Sequence, residues 1–258
     1  MRLMKRILSA AAVLALSASL LVGCSSGTAS SVPVSASSAA ESTVSSVEET
    51  ASSAVDENEA AAAQLLNDLT GSYQELWPVI LADEYQQTWL DDCTALVGEE
   101  NAEAAFEKLS SMVTGDVYGE DAVEAYANGG GAYFCGFTNS LAILTFDGET
   151  STISGTDKDG NVLFSHTYHY IGMEPVRGLY EFQSDDADSG EFTYFFLAPD
   201  TSAETYHIEF RYGSDAEALS QYDTGEYAYW LASGISTDCD QTMIDNCIEL
   251  FCTENLAG

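Results

Sequence analysis

Positive charge is what this sequence has least of. Of 258 residues, seven are Lys or Arg, against 42 Asp or Glu. Three of those seven, Arg2, Lys5 and Arg6, stand in the first six positions, which leaves Lys108, Lys158, Arg177 and Arg211 for the rest of the chain. Nucleic-acid binding needs clustered cations on one face, so that class of partner is excluded. An anionic membrane surface would repel the same chain, whereas cations would be drawn to it. Histidine is as scarce, with only His166, His169 and His207. The cysteines form no C-x-x-C pair, and no glycine-rich phosphate loop is present. Ser, His and Asp all occur, but no local signature sets a nucleophile beside a base, so nothing points to an enzyme. Beyond residue 22 no apolar run approaches the ~20 residues that a membrane-spanning helix needs.

The one long apolar run is Ile7 to Val22, behind the basic start. Residues 1–23 therefore read as an export signal. Leu21-Val22-Gly23-Cys24, followed by Ser-Ser-Gly, resembles a bacterial lipobox that is cut before a cysteine carrying lipid. Cys24 is the expected lipidation site, and a lipid there would anchor the protein to a membrane without spanning it. Residues 24–59 are rich in Ser, Ala and Glu, with one proline and no aromatic or basic residue. Such a segment buries too little apolar surface to offset the entropy of ordering, so it reads as a tether. The folded domain is then 60–258, long enough for a substantial core. From Cys24 onward, four basic residues face 42 acidic ones, a formal charge of −38. The expected location is extracytoplasmic. Apart from Cys24, the cysteines are Cys93, Cys135, Cys239, Cys247 and Cys252, an odd number that allows at most two disulfides.

The first third of the domain reads as helical, with candidates at Ala60–Leu66, Gln86–Val97 and Asn101–Met112. Asn101 is the expected cap of the third. After Asn128-Gly129-Gly130-Gly131 the pattern turns to strands: Ala132–Phe137, Leu141–Phe146, Thr150–Gly155, Asn161–Ile171, Gly178–Phe182, Glu191–Ala198 and Glu204–Tyr212. Close turn signals such as Asp147-Gly148 and Asp157-Lys158-Asp159-Gly160 favour antiparallel meander pairing. The expected class is mainly β with flanking helices. It is an up-and-down antiparallel barrel or a strongly curved sheet from about 131 to 212, preceded by helices and closed by a helix over 241–252, started by Asp238 or Asp240.

The stretch Phe192 to Gly213 is central. Its second strand alternates, with Tyr206, Ile208, Phe210 and Tyr212 on one face and Thr205, His207, Glu209 and Arg211 on the other. His207 and Glu209 are candidate metal ligands on that polar face. His166 and His169 lie on a single strand at an odd spacing, which puts them on opposite faces, so at most one could join His207.

The domain resembles the ZinT family of extracytoplasmic zinc- and cadmium-binding proteins, whose domain also forms the C-terminal part of some zinc-uptake lipoproteins. Leu69–Leu81 (LTGSYQELWPVIL), Tyr168–Gly172 (YHYIG), Arg177–Phe182 (RGLYEF) and the hairpin from Ala198-Pro199 through Tyr206-His207-Ile208 to Gly213 resemble four family segments in the family's order. The resemblance implies a calycin-like barrel, a divalent metal ion as partner with zinc as the cofactor, and a metal-uptake transporter as a further partner. It also exposes departures. Three family histidines bind the metal, one four residues before the Ala-Pro proline and two as H-x-H. Here the first falls on Phe195 and the pair falls on Thr205 and His207, allowing one inserted residue. Zinc normally takes four ligands, or three plus water, so Glu209, His166 or His169 would have to complete the set. The alternative is a calycin-like binding module without metal, holding a small apolar ligand or a partner near Phe195, Thr193 and Leu197.

Overall fold

The computed structural model describes residues 57–199 and 207–257. The expected signal, Cys24 and most of the expected tether lie outside the described residues, as do Thr205 and Tyr206. Eight antiparallel strands close into a barrel in sequence order: β1 (Gly71–Glu75), β2 (Ile143–Asp147), β3 (Thr152–Thr156), β4 (Val162–Met173), β5 (Tyr180–Ser184), β6 (Tyr194–Leu197), β7 (His207–Gly213) and β8 (Ala232–Ser236). The seam is closed by β8 pairing with β1, Tyr73 opposite Ser236 and Glu75 opposite Gly234. Closure leaves no sheet edge to template pairing with another chain.

Helices flank the barrel: α1 (57–68), α2 (Leu76–Ile80), α3 (Gln86–Val97), α4 (Ala102–Val113), α5 (Glu120–Ala127), the single turn α6 (Ala216–Leu219) and α7 (Gln241–Leu256). Asp240 starts α7, its Oδ1 accepting from the Met243 N–H at 3.0 Å. Asn101 does not cap α4 as expected. It already has helical φ/ψ, and its side-chain amide donates back to the Val97 carbonyl at 3.0 Å. No helix among the described residues is long and apolar enough to cross a membrane.

The barrel is built as an antiparallel meander, but its ends differ from the expected 131–212. The run 132–137 is no barrel strand: Phe134 makes only isolated bridges, to Thr114 and Trp230. The Phe137 N–H is claimed by Glu75 Oε1 at 2.6 Å, and the Gly136 carbonyl accepts from Trp230 Nε1 at 2.9 Å. β1 and β8, outside the expected span, take up the seam. The turn Asp157–Gly160 is a hairpin turn as expected, with Asp157 Oδ1 accepting from the N–H groups of Asp159 and Asn161, both at 2.9 Å.

Two apolar clusters result. One fills the barrel with Leu144, Phe146, Ile153, Phe182, Phe195, Phe210 and Tyr212, and extends onto its outer wall at Phe196 and Leu219. The other joins α2, α3, α4 and α7 to the outer face of β8 through Trp89, Leu109, Ile235 and Ile248.

Candidate functional site

β6 and β7 decide where any ligand set can stand. On β7, Ile208, Phe210 and Tyr212 are fully buried in the barrel interior, so His207, Glu209 and Arg211 face out through the wall. On β6, Phe195 pairs with Tyr212 and shares its inward direction. Its ring stands 5.3 Å from Tyr212, 5.4 Å from Tyr168, 5.8 Å from Phe164 and 6.4 Å from Phe210, centroid to centroid. Leu197 on the same strand is buried in the same cluster, while Thr193, beyond the strand's start, is half-buried. The position to which the family resemblance assigns a first histidine is thus one ring in an aromatic stack.

His207 opens β7 opposite Ile235, and Glu209 lies opposite Ser233. They share the outer face two residues apart, roughly 7 Å along a strand. The Glu209 carboxylate lies close enough to two thiols to act on them. Burial, aided by that negative charge, pushes Cys135 up to about 12; burial, then Cys239, then Glu209 push Cys247 to about 12. These are buried neutral thiols, the opposite of what zinc binding through sulfur requires.

His166 and His169 alternate as their spacing predicts. His166 shares the inward phase of Phe164 and Tyr168, while His169 is exposed on the outer face. Each is held by a carboxylate of the β5–β6 connection, His166 Nδ1 by Asp186 at 2.7 Å and His169 Nδ1 by Asp185 at 2.6 Å. Two strands, β5 and β6, separate β4 from β7. That is about 14 Å of sheet at ordinary strand spacing. The structure therefore brings His207 and Glu209 onto one face and leaves both other histidines away from them. Among the described residues no group of three or more His, Cys, Asp or Glu is placed to hold a metal ion.

Two further features carry local chemistry. An open cleft of about 350 Å³ lies between α2, the end of α4 and the 134–136 segment, lined by Trp77, Leu81, Val113, Phe134, Cys135 and the carboxylate of Glu75. The Trp77 indole Nε1–H is itself buried behind the cleft wall, without a well-formed hydrogen bond and against the soft Cys135 sulfur. On the outer wall, Arg211 is fully buried beneath the 214–230 segment. Its Nη1 donates to the Leu219 carbonyl, its Nη2 to the Tyr227 carbonyl, and both to the Gln221 carbonyl at 3.2 and 3.3 Å. Its guanidinium lies 4.4 Å from the Tyr222 ring centroid, and that of Arg177 lies 4.3 Å from the same ring. The buried Glu174 carboxylate accepts from the N–H groups of Val176 and Arg177 at 2.8 and 2.6 Å. Half of the basic residues outside the first six positions are thus spent inside this one cluster. Sequence reasoning put Arg211 on the polar face of its strand but did not foresee this cluster, because the segment that covers Arg211 carries no sequence signal of doing so.

No protein-family model and no curated protein matches the chain. Among solved structures it is similar to the Zn(II)-bound ZinT-like domain of AdcA from Streptococcus pneumoniae, at 15% identity over 71% of this chain and 89% of that one, with a TM-score of 0.45. It is also similar to the whole Zn(II)-bound AdcA of the same organism, at 14% identity over 72% of this chain, with a TM-score of 0.42; it spans 35% of that protein's length. A ZinT-like domain is thus among the solved folds that this closed antiparallel barrel is similar to.

Proposed function

We propose that the chain is a lipid-anchored, extracytoplasmic binding protein without a catalytic role, and that it holds a small, largely apolar molecule in the Trp77–Phe134 cleft. The observation that carries this reading is the cleft itself, walled by Trp77, Leu81, Val113 and Phe134 and open to solvent, where the barrel interior is filled. The cleft's size fits the usual lower range for small-molecule sites, and its walls are apolar with one carboxylate. The barrel interior is not available for the same task, because Phe195 and its neighbours occupy it. Anchoring rests on Cys24 and the apolar run before it.

The test uses N-phenyl-1-naphthylamine, a neutral apolar probe whose emission rises on binding. The purified chain is expected to enhance it, and Leu81→Trp, which fills the cleft, is expected to abolish the enhancement. No enhancement, or an unchanged signal in Leu81→Trp, overturns the reading. Intact-mass analysis of membrane fractions is expected to show a chain starting at lipid-modified Cys24, and Cys24→Ser to leave the membrane.

A second reading is favoured by the common outward face of His207 and Glu209. Here the two hold a zinc ion weakly, in the service of metal acquisition with an uptake transporter as partner. Imidazole with carboxylate suits zinc better than calcium or magnesium. Calorimetry with zinc would show binding that His207→Ala removes and that fades below the imidazole reference pKa of about 6.5. Equal heats from the parent and the variant would refute it.

A further inference from the structure

We propose that Cys93 and Cys252 form a disulfide that staples α3 to α7. The two thiols are 159 residues apart in sequence, both fully buried, and their sulfurs are 3.9 Å from each other. That is van der Waals contact between sulfurs, and a disulfide needs about 2.05 Å, a difference that side-chain rotation and a small helix shift can supply. Among the described cysteines this is the pair in sulfur contact. The site also has a physical need for a tie. Asp92, next to Cys93 on α3, feels Asp245 and Glu249 across the interface on α7, so like charges oppose the packing of these two helices.

Formation is a thiol–disulfide exchange. Each cysteine loses its proton, the sulfurs join, and the two electrons pass to the disulfide of an oxidised dithiol oxidase or of oxidised glutathione, which leaves as two thiols. Burial raises both thiols above the ordinary range, so the attacking thiolate is scarce in the folded state. The bond therefore forms while the chain folds, before α3 and α7 close over it. That an oxidant meets the chain in its natural compartment rests on the extracytoplasmic reading above; the test below does not.

The full chain, purified in detergent, is unfolded in urea and refolded in a mixed glutathione buffer. Remaining thiols are then alkylated and the peptides mapped without reduction. The expected product is one dominant linked pair, Cys93 to Cys252, in a protein two hydrogens lighter than its reduced form. The linked form is expected to have an unfolding constant two to three orders of magnitude smaller than the reduced form, since the bond closes a long loop in the unfolded chain. The Cys93→Ser, Cys252→Ser double variant should show no response to reductant. Recovery of Cys93 and Cys252 as separate alkylated peptides overturns the proposal, as does a dominant link between other cysteines or equal stability of linked and reduced chains. Because the mapping is done on the unaltered chain, it does not depend on the variant folding.

Discussion

Replacing Phe195 tests both the packing of the barrel and its capacity for metal. The residue is completely buried, and four rings lie within 6.4 Å of its centroid. Truncation to Ala removes a benzyl group's worth of contacts and leaves a cavity walled by rings on opposite strands that cannot collapse together, which costs about 3–5 kcal/mol. In a folded unit of roughly 200 residues that lowers Tm by roughly 10 °C. Phe195→His restores the residue type that the family resemblance expects there, and it should be no better. The imidazole would be buried among Phe164, Tyr168, Phe210 and Tyr212 without a charged partner, so the cavity loss is compounded by an unsatisfied polar group. Thermal unfolding followed by near-ultraviolet circular dichroism, with and without zinc, reads both effects. A metal at a hundred times its Kd would add about 2.7 kcal/mol, several degrees and easily seen. The expected result is a large Tm loss in both variants with no zinc rescue of Phe195→His. A Tm loss of a degree or two in Phe195→Ala, or a zinc-dependent rise confined to Phe195→His, would refute the reasoning that the interior is closed to metal.

Two further outcomes follow from groups that the structure buries. Arg211→Met should cost about 3–5 kcal/mol by urea denaturation, because the carbonyls of Leu219, Gln221 and Tyr227 lose their common donor while the 214–230 segment still covers them; a loss below about 1 kcal/mol would show that this segment is held by packing alone. Burial first, then Glu249, Asp245 and Asp91, raise Asp92 above its ordinary value of 3.8. The folded state therefore holds that proton more tightly than the unfolded one. Stability contributed by this group rises as pH falls from the raised value toward 3.8 and is lost again as pH climbs. Asp92→Asn should lift Tm by roughly 1–3 °C at neutral pH, with the gain shrinking in mild acid; a gain that is independent of pH would sink the assignment.

Much of the barrel is legible because β-branched and aromatic residues alternate in it. Ile208, Phe210 and Tyr212 announce the inner face of β7, and Phe164, Tyr168 and Tyr170 do so for β4. The two seam strands are illegible for the converse reason. β8 reads ASGIS and β1 reads GSYQE, and neither has the composition that marks a strand. Gly234 is there because Ile208 stands opposite: a Cβ would come within 3.1 Å of the Ile208 side chain, so the position is defined by a residue some 26 places away. The run AYFCGF erred the other way. It has strand composition, but its hydrogen-bonding groups are divided among Glu75, Met112, Gly115 and the 229–233 segment, so it bridges existing elements and forms no ladder of its own. Arg211 shows a third limit. Alternation placed it correctly on the outer face, but only the fold of 214–230 over that face makes it buried.

The ligand positions illustrate how sharply a strand converts sequence offset into geometry. Placing His207 at a family ligand position requires one inserted residue between it and Ala198-Pro199. A single-residue offset moves a side chain to the other face of a strand. Phe195 points into the barrel with Tyr212, and the inward set on β7 is Ile208, Phe210 and Tyr212. His207 has the opposite parity, so it faces out with Glu209. The two positions that a shared metal would have to join therefore stand on opposite sides of the barrel wall. No rotamer of either side chain crosses a hydrogen-bonded sheet. An interior site would need imidazoles in place of Phe195 and an inward β7 residue such as Ile208 or Phe210, whereas an outer site would need partners for His207 from β8 or α7. Substitutions at those two sets of positions therefore separate the interior and exterior metal readings, and neither set can be rescued by changes in the other.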